Sequence, residues 1–431
     1  MSASAILLKQ IRDGGYDNAF SRLYGAAEVA VQRERYAKAV EGFVSTFGDS
    51  EEPLYLFSAP GRTEICGNHT DHNHGRVVAG SVNLDVIAVT RPAAGRIRIQ
   101  SEGYPLYEVS LDMLQPVAEE RNGSASLTRG TAARFAQLGY SIGGFDAYIV
   151  SNVLKGSGLS SSAAFEVLMG VVLNHLYNDG KVSAVEIAQI AQYAENVFFG
   201  KPCGLMDQMA SSVGNIITID FADTEHPVIE KLDFDFSRTG YALCIVDVGG
   251  NHADLTHEYA AVPGEMLAVA KSLGVSYLRE TTMDALLAAL PALREAHGDR
   301  AVLRAMHFLQ ENQRVEHLTA ALRAGDFETF KQIILASGHS SFEYLQNVYT
   351  TCNIDEQGMS LALSLAQLVL DGEGAWRVHG GGFGGTTQNF VPLDKLNLFR
   401  SVIESAFGAG SCHVLHIRPY GGVSVDALNR E

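Results

Sequence analysis

The amino-acid sequence predicts a mixed α+β protein of two lobes, 1–225 and 226–431. Three observations lead to that class. At 431 residues the chain is too long for one small core. Helix-period segments and short alternating apolar runs both recur along it. A second unit begins at about Tyr241 with the strand YALCIVDVGG.

The elements follow in order. Residues 5–47 carry helical spacing with charged faces, as in VQRERYAKAVEGFVSTFG. Pro53 to Pro60 turns strand-like and runs into GRTEICGNHTDHNHG. The runs VVAGSVNLDVIAVTR, GRIRIQSEG and YEVSL suit an antiparallel sheet. TRGTAARFAQLG is helical and FDAYIVSNV reads as a strand. Two helices, FEVLMGVVLNHLY and SAVEIAQIAQYAENVFF, flank the turn NDGK, and NIITIDF is hairpin-like. Long helical patterns fill 255–371, then RVHGGGFGGTTQNFVPL, a helix and the strand CHVLHIRP close the chain.

Bulk properties exclude several classes. Hydrophobic content of 46% and charged content of 19% suit a soluble globular protein. A formal net charge of −17 argues against a nucleic-acid footprint, so any anionic ligand must be held by a local arrangement. The five cysteines show no CxxC spacing, which points away from disulfide frameworks and thiolate zinc sites. The N-terminal run is too short and too early in charge for a signal peptide, and no window resembles a membrane span. A reducing cytoplasm is the expected location.

Three clusters carry chemistry. VLKGSGLSSSAAFEV places glycines and serines directly before an apolar helix. Unpaired N–H donors at a helix start suit phosphate, although a tight strand-to-helix turn with a serine cap reads equally well. The pattern lacks GK[ST], so it is not a Walker loop. GGGFGG at 380–385 contains GxGxxG, but the continuation TTQNFVPL is strand-like, which removes the dinucleotide reading. A bend where another backbone approaches closely fits better. The cluster Gly61 to Gly75 is dense in Arg, His, Asp, Asn and Glu, expensive to bury without a ligand. It reads as a metal site of His69, Asp71, His72 and His74, as a cradle for a sugar, or as a solvated loop.

Jointly, these motifs resemble the GHMP family of small-molecule kinases, and within it the galactokinases. APGRTEICGNHTDHNHG is similar to the sugar-binding signature, GSGLSSSAA to the phosphate loop, and GGGFGG to the third glycine motif. AENVFFGKPCGLMDQMAS is similar to the segment holding the catalytic aspartate. The resemblance implies a ribosomal S5 domain 2-like N-terminal lobe and a ferredoxin-like C-terminal lobe, with the active site between them. It implies ATP and Mg2+ as cofactors and phosphorylation of the anomeric hydroxyl of galactose. By resemblance Asp207 is the base and Arg62 lies beside the reacting hydroxyl. Asn68, His69, Asp71, Gly204 and Tyr259 contact the sugar. Gly156, Ser157, Gly158, Leu159, Ser160, Ser161, Ser162, Gly381 and Gly382 hold ATP, and Ser162 with Glu195 holds the metal. Phosphoryl transfer needs positioning and charge neutralisation more than covalent help, which suits such residues.

The chain departs from the usual GRxNxIGEHTDYNGG. Glu64 stands for asparagine, Asn68 for glutamate, His72 for tyrosine and His74 for glycine. In the family that glutamate binds the C6 hydroxyl, and an amide there would tolerate a carboxylate at C6. Galacturonate is therefore an alternative substrate. A non-catalytic sugar and ATP sensor and a His/Asp metallohydrolase are the rival classes. Nothing in the sequence sets the oligomeric state.

Overall fold

Arg76–Ala93 is rich in β-branched residues, among them Val77, Val78, Val86, Ile87 and Val89, and forms one long strand around which a sheet assembles. The computed structural model describes residues 2–153, 158–201, 203–249 and 255–431. The first sheet contains β1 (Tyr55–Cys66), β2 (Arg76–Ala93), β3 (Arg96–Ser101), β4 (Tyr107–Ser110), β5 (Gly144–Ser151), β6 (Ile216–Asp220) and β7 (Val228–Leu232). The second contains β8 (Tyr241–Asp247), β9 (Ala375–His379), β10 (Thr386–Pro392) and β11 (Cys412–Leu415). A last short strand, β12 (Val423–Ser424), returns to the first sheet.

The first sheet runs β12-β1-β2-β5-β3-β4, with β6 on β2 and β7 on β6. Its pairings are antiparallel except β3 with β5. That pair is parallel because the chain crosses over through the helix Ser124–Gln137 between them, as parallel neighbours require. The second sheet, β11-β8-β10-β9, is antiparallel throughout. Alternation along β8 splits its side chains. Ala242, Cys244 and Val246 pack with Ala362, Ala366, Phe399 and Ile403, whereas Leu243 and Ile245 join Phe330, Phe390 and the core of the first sheet.

The lobe boundary lies elsewhere than residue 225. Leu232 of β7 pairs with Ile216, so the first sheet continues past that point and the change of sheet falls between Leu232 and Tyr241. The last residues also belong to the first lobe. Ser424 pairs with Phe57, and the Asp426 carboxylate accepts from the Leu56 N–H at 2.7 Å and the Tyr16 hydroxyl at 2.6 Å. N-terminal helices Ala3–Arg12, Asp17–Tyr24 and Val29–Phe47 cover this region, packing Phe20, Tyr36 and Phe43 with Leu56, Ile87 and Leu428. Among the described residues no helix is long and apolar enough to cross a membrane.

Candidate active site

Arg62 lies in β1 at a break in register with β2, which turns its side chain away from regular pairing. Its guanidinium meets the carboxylate of Asp207 at 2.7 Å and also donates to the Gly158 carbonyl. Asp207 stands in the first turn of the helix Met206–Val213. Its other oxygen accepts from the hydroxyl of Ser160. Ser160 adopts φ +54° as the residue preceding the helix Ser161–Tyr177, a conformation costly for a side chain bearing Cβ and concentrated at functional sites. The Arg62 N–H donates to the Leu159 carbonyl at 3.0 Å, and a Cβ on Gly61 would lie 2.8 Å from that oxygen. Thus strand and turn are locked together. Leu159 contributes its backbone here while its side chain fills the core. Gly156 and Ser157 lie outside the described residues.

The glycine-rich turn of the second sheet meets this turn. His379 bridges the hydroxyls of Thr63 and Thr386, each at 3.0 Å, and a Cβ on Gly158 would approach its ring to 3.1 Å. The Tyr259 hydroxyl donates to the Gly382 carbonyl at 2.8 Å, and a Cβ on Gly381 would lie 2.7 Å from the Tyr259 ring. Gly382 itself has φ +83° and no room for a side chain against Asn347. His69 sits 2.9 Å from the Gly381 carbonyl and 3.3 Å from His72. Burial pushes His72 down to about 3, so it is neutral at physiological pH. The Asp71 carboxylate lies directly against Gly204, where any Cβ would collide with it. Burial raises Asp71 above its ordinary value, partly offset by His69.

Asn68 departs from its expected place. Its amide nitrogen donates to Glu64 at 3.1 Å and to the Gly380 carbonyl at 2.7 Å. Its oxygen accepts from Asn347 at 2.8 Å and Ser341 at 3.3 Å. Fully buried, the amide ties the signature loop to the second lobe instead of facing a C6 substituent. Glu64 in turn pairs with buried Arg377 at 2.8 Å. Galacturonate recognition through Asn68 requires a free amide, and here both ends of the amide are engaged by the protein.

Beside Asp207, Gln208 donates to Glu195 at 2.8 Å and to Glu166 at 3.1 Å. Lys201 approaches Glu195 at 3.7 Å. Glu166 is fully buried, and its second oxygen has no hydrogen-bond partner. Burial, then Glu195, raises Glu166 well above the carboxylate range. Ser162 and Glu166 are four residues apart on one helix and therefore share a face. Glu166 escaped the sequence reading; its signal was a lone acid in the otherwise apolar FEVLMGVVLNHLY.

A cavity of about 1000 Å³ opens at the start of this helix, lined by Ser161, Ser162, Phe165, Tyr104, Tyr107 and Phe199 among others. Its aromatic and apolar walls beside helix-terminal N–H groups fit a flat heterocycle carrying phosphates. The walls come from stretches too short and too scattered for sequence periodicity to register.

A helix start joined to a carboxylate–guanidinium pair, with a polar loop nearby, suits a small-molecule kinase. Residues 126–215 match the GHMP kinases N terminal domain, and residues 41–92 match the galactokinase galactose-binding signature. The galactokinase of Streptomyces coelicolor is 31% identical over 359 residues, 83% of this chain and 90% of that protein. That of Clostridium tetani is 29% identical, covering 85% and 90%. The chain belongs to the galactokinase family. In fold it is similar to the crystal structure of Lactococcus lactis galactokinase complexed with galactose, with TM-score 0.76 and 24% identity over 90% of this chain and 99% of that one.

Proposed function

We propose that this chain transfers the γ-phosphoryl group of ATP to the anomeric hydroxyl of galactose, giving galactose 1-phosphate and ADP. The observation that carries this reading is the Arg62–Asp207–Ser160 junction, which joins the signature loop to the phosphate turn. Asp207 accepts the hydroxyl proton as the sugar oxygen attacks the γ-phosphorus and the bond to the β-phosphate oxygen breaks. Arg62 offsets the charge that develops there and holds the carboxylate in place. Asp71 presents acceptors suited to sugar hydroxyls, while the two ring nitrogens of His69 meet Gly381 and His72 and hold the loop beside it. Backbone N–H groups at the start of the helix Ser161–Tyr177 would meet the phosphates.

Mg2+ fits the residues present. Two carboxylates converge on the single amide of Gln208, and one buried carboxylate oxygen has no partner, an arrangement a divalent cation would relieve. Ser162 and Glu195 would hold the ion, and when bound it neutralises charge on the triphosphate. Glu166→Gln will weaken binding of Mn2+, a spectroscopic substitute, about tenfold in nucleotide-bound protein. Electron paramagnetic resonance titration measures this, and an unchanged affinity would detach Glu166 from the cation.

A panel of aldoses and uronic acids with Mg-ATP, read by mass, tests the reaction. Galactose 1-phosphate is the expected product. Its absence, with ATP and galactose both bound, would point to a sensor; phosphorylation of galacturonate alone would restore the discarded substrate.

A further inference from the structure

The signature loop holds four His and Asp side chains suggestive of zinc, yet the convergence of ligands lies elsewhere. Among the described residues, one group of three metal-ligating side chains gathers its donor atoms within 4.8 Å: His257, Glu258 and Cys352. The first two lie in the opening turn of the helix Thr256–Ser272, and Cys352 lies on the loop preceding Gly358–Leu370. The nitrogen of His257 is 3.3 Å from the Cys352 sulfur. Oε1 of Glu258 is 4.0 Å from that sulfur and 4.0 Å from the same nitrogen.

We propose that His257, Glu258 and Cys352 form a binding site for Zn2+, separate from the nucleotide's cation. Bond lengths of about 2.0–2.3 Å in a tetrahedral zinc site give edges of roughly 3.4–3.6 Å between donors. The observed sides of 3.3, 4.0 and 4.0 Å differ from these by up to about 0.6 Å, so the Glu258 carboxylate must move inward by side-chain rotation. The donor set is selective, because a thiolate and an imidazole favour zinc over the hard cations that ATP brings. Outer contacts fix the ligands. Thr350 donates to Glu258 at 2.9 Å and accepts from the Cys352 N–H at 3.1 Å, so one hydroxyl orients two of the three. Glu258 is buried while His257 and Cys352 are exposed. A cavity of about 840 Å³ lined by Cys352, Thr350 and Leu255 gives an entry path and room for a water as fourth ligand. A thiol–imidazole hydrogen bond alone would account for the shortest side of the triangle but would not need the carboxylate. Occupied, the site would fasten the start of the helix, and with it Tyr259, to the 350–352 loop.

The whole 431-residue chain, stripped of metal and free of nucleotide, is titrated with Co2+. Wild type is expected to develop a near-ultraviolet thiolate-to-cobalt band that saturates at one equivalent and that Zn2+ abolishes. Cys352→Ser removes the band, Cys203→Ser preserves it, and His257→Ala weakens Co2+ affinity at least about tenfold. Circular dichroism of each metal-free variant verifies the fold. Absence of the band in wild type, its survival in Cys352→Ser, or unchanged affinity in His257→Ala would overturn the site.

Discussion

Asp207→Ala will lower kcat by about 10²–10⁴ while sugar and nucleotide affinities stay within a few-fold, since a positioned base acts in the transition state more than in the ground state. The geometry supports a large effect. Asp207 is gripped on one oxygen by Arg62 and on the other by Ser160, so it is held in one orientation before substrate arrives. A competing view is that a loose phosphoryl-transfer transition state needs little proton removal. Magnitude separates them: a fall below about tenfold would assign catalysis to charge neutralisation by Arg62 and helix N–H groups instead. Asp207→Asn controls for the fold, because an amide oxygen still accepts from Arg62, whose side chain is only 7% exposed. Stopped-flow binding with steady-state kinetics gives both quantities. Undiminished turnover in either variant would remove Asp207 from the reaction.

What the sequence disclosed and what it hid follow from the kind of signal each residue leaves. Gly381 and Gly382 stand out in sequence because close approach leaves no room for Cβ atoms, and Gly158 because its φ of +68° favours glycine. Asp207 and Arg62 drew notice through the motifs around them, and the structure brings the two side chains together. Burial leaves no such mark. Asn68 reads as a polar ligand in a polar loop, and only the fold reveals that every amide position is spent on protein. Glu64 reads as an odd replacement for asparagine until Arg377 appears opposite it, fully buried on β9. The exchange of the two residue types thus moves the carboxylate to where a guanidinium waits. The return of residues 423–430 to the first lobe was equally silent, because a two-residue strand carries no period. Glu258 and Cys352, nearly a hundred residues apart, share no motif at all.

Asp85→Ala will destabilise the protein by about 3–5 kcal/mol, the largest stability loss expected from one polar substitution, because it strands buried cations. Asp85 is fully buried and accepts from Arg35 at 2.6 Å, Arg418 at 2.9 Å and Tyr24 at 2.5 Å, with Ser58 as a further donor. These partners come from the N-terminal helices, β1 and the C-terminal segment, so one carboxylate joins three distant parts of the chain. Arg418 is also fully buried and would keep only hydroxyl and carbonyl partners. Burial alone would raise the Asp85 carboxyl, but Arg35 and Arg418 outweigh it and hold the group below its ordinary 3.8. A carboxylate whose folded value is depressed contributes stability that is complete above its unfolded value and is lost as pH falls through the folded one. Wild-type stability should therefore decline below about pH 4, and Asp85→Ala should lack that share of the slope. Urea denaturation between pH 2.5 and 7 reads both effects as midpoint shifts. Pairing Asp85→Leu with Arg418→Met, which removes one of the two stranded charges and leaves Arg35, should recover part of the loss. A single variant as stable as wild type at pH 7, or one with the full acid slope, would show that the network holds without its carboxylate.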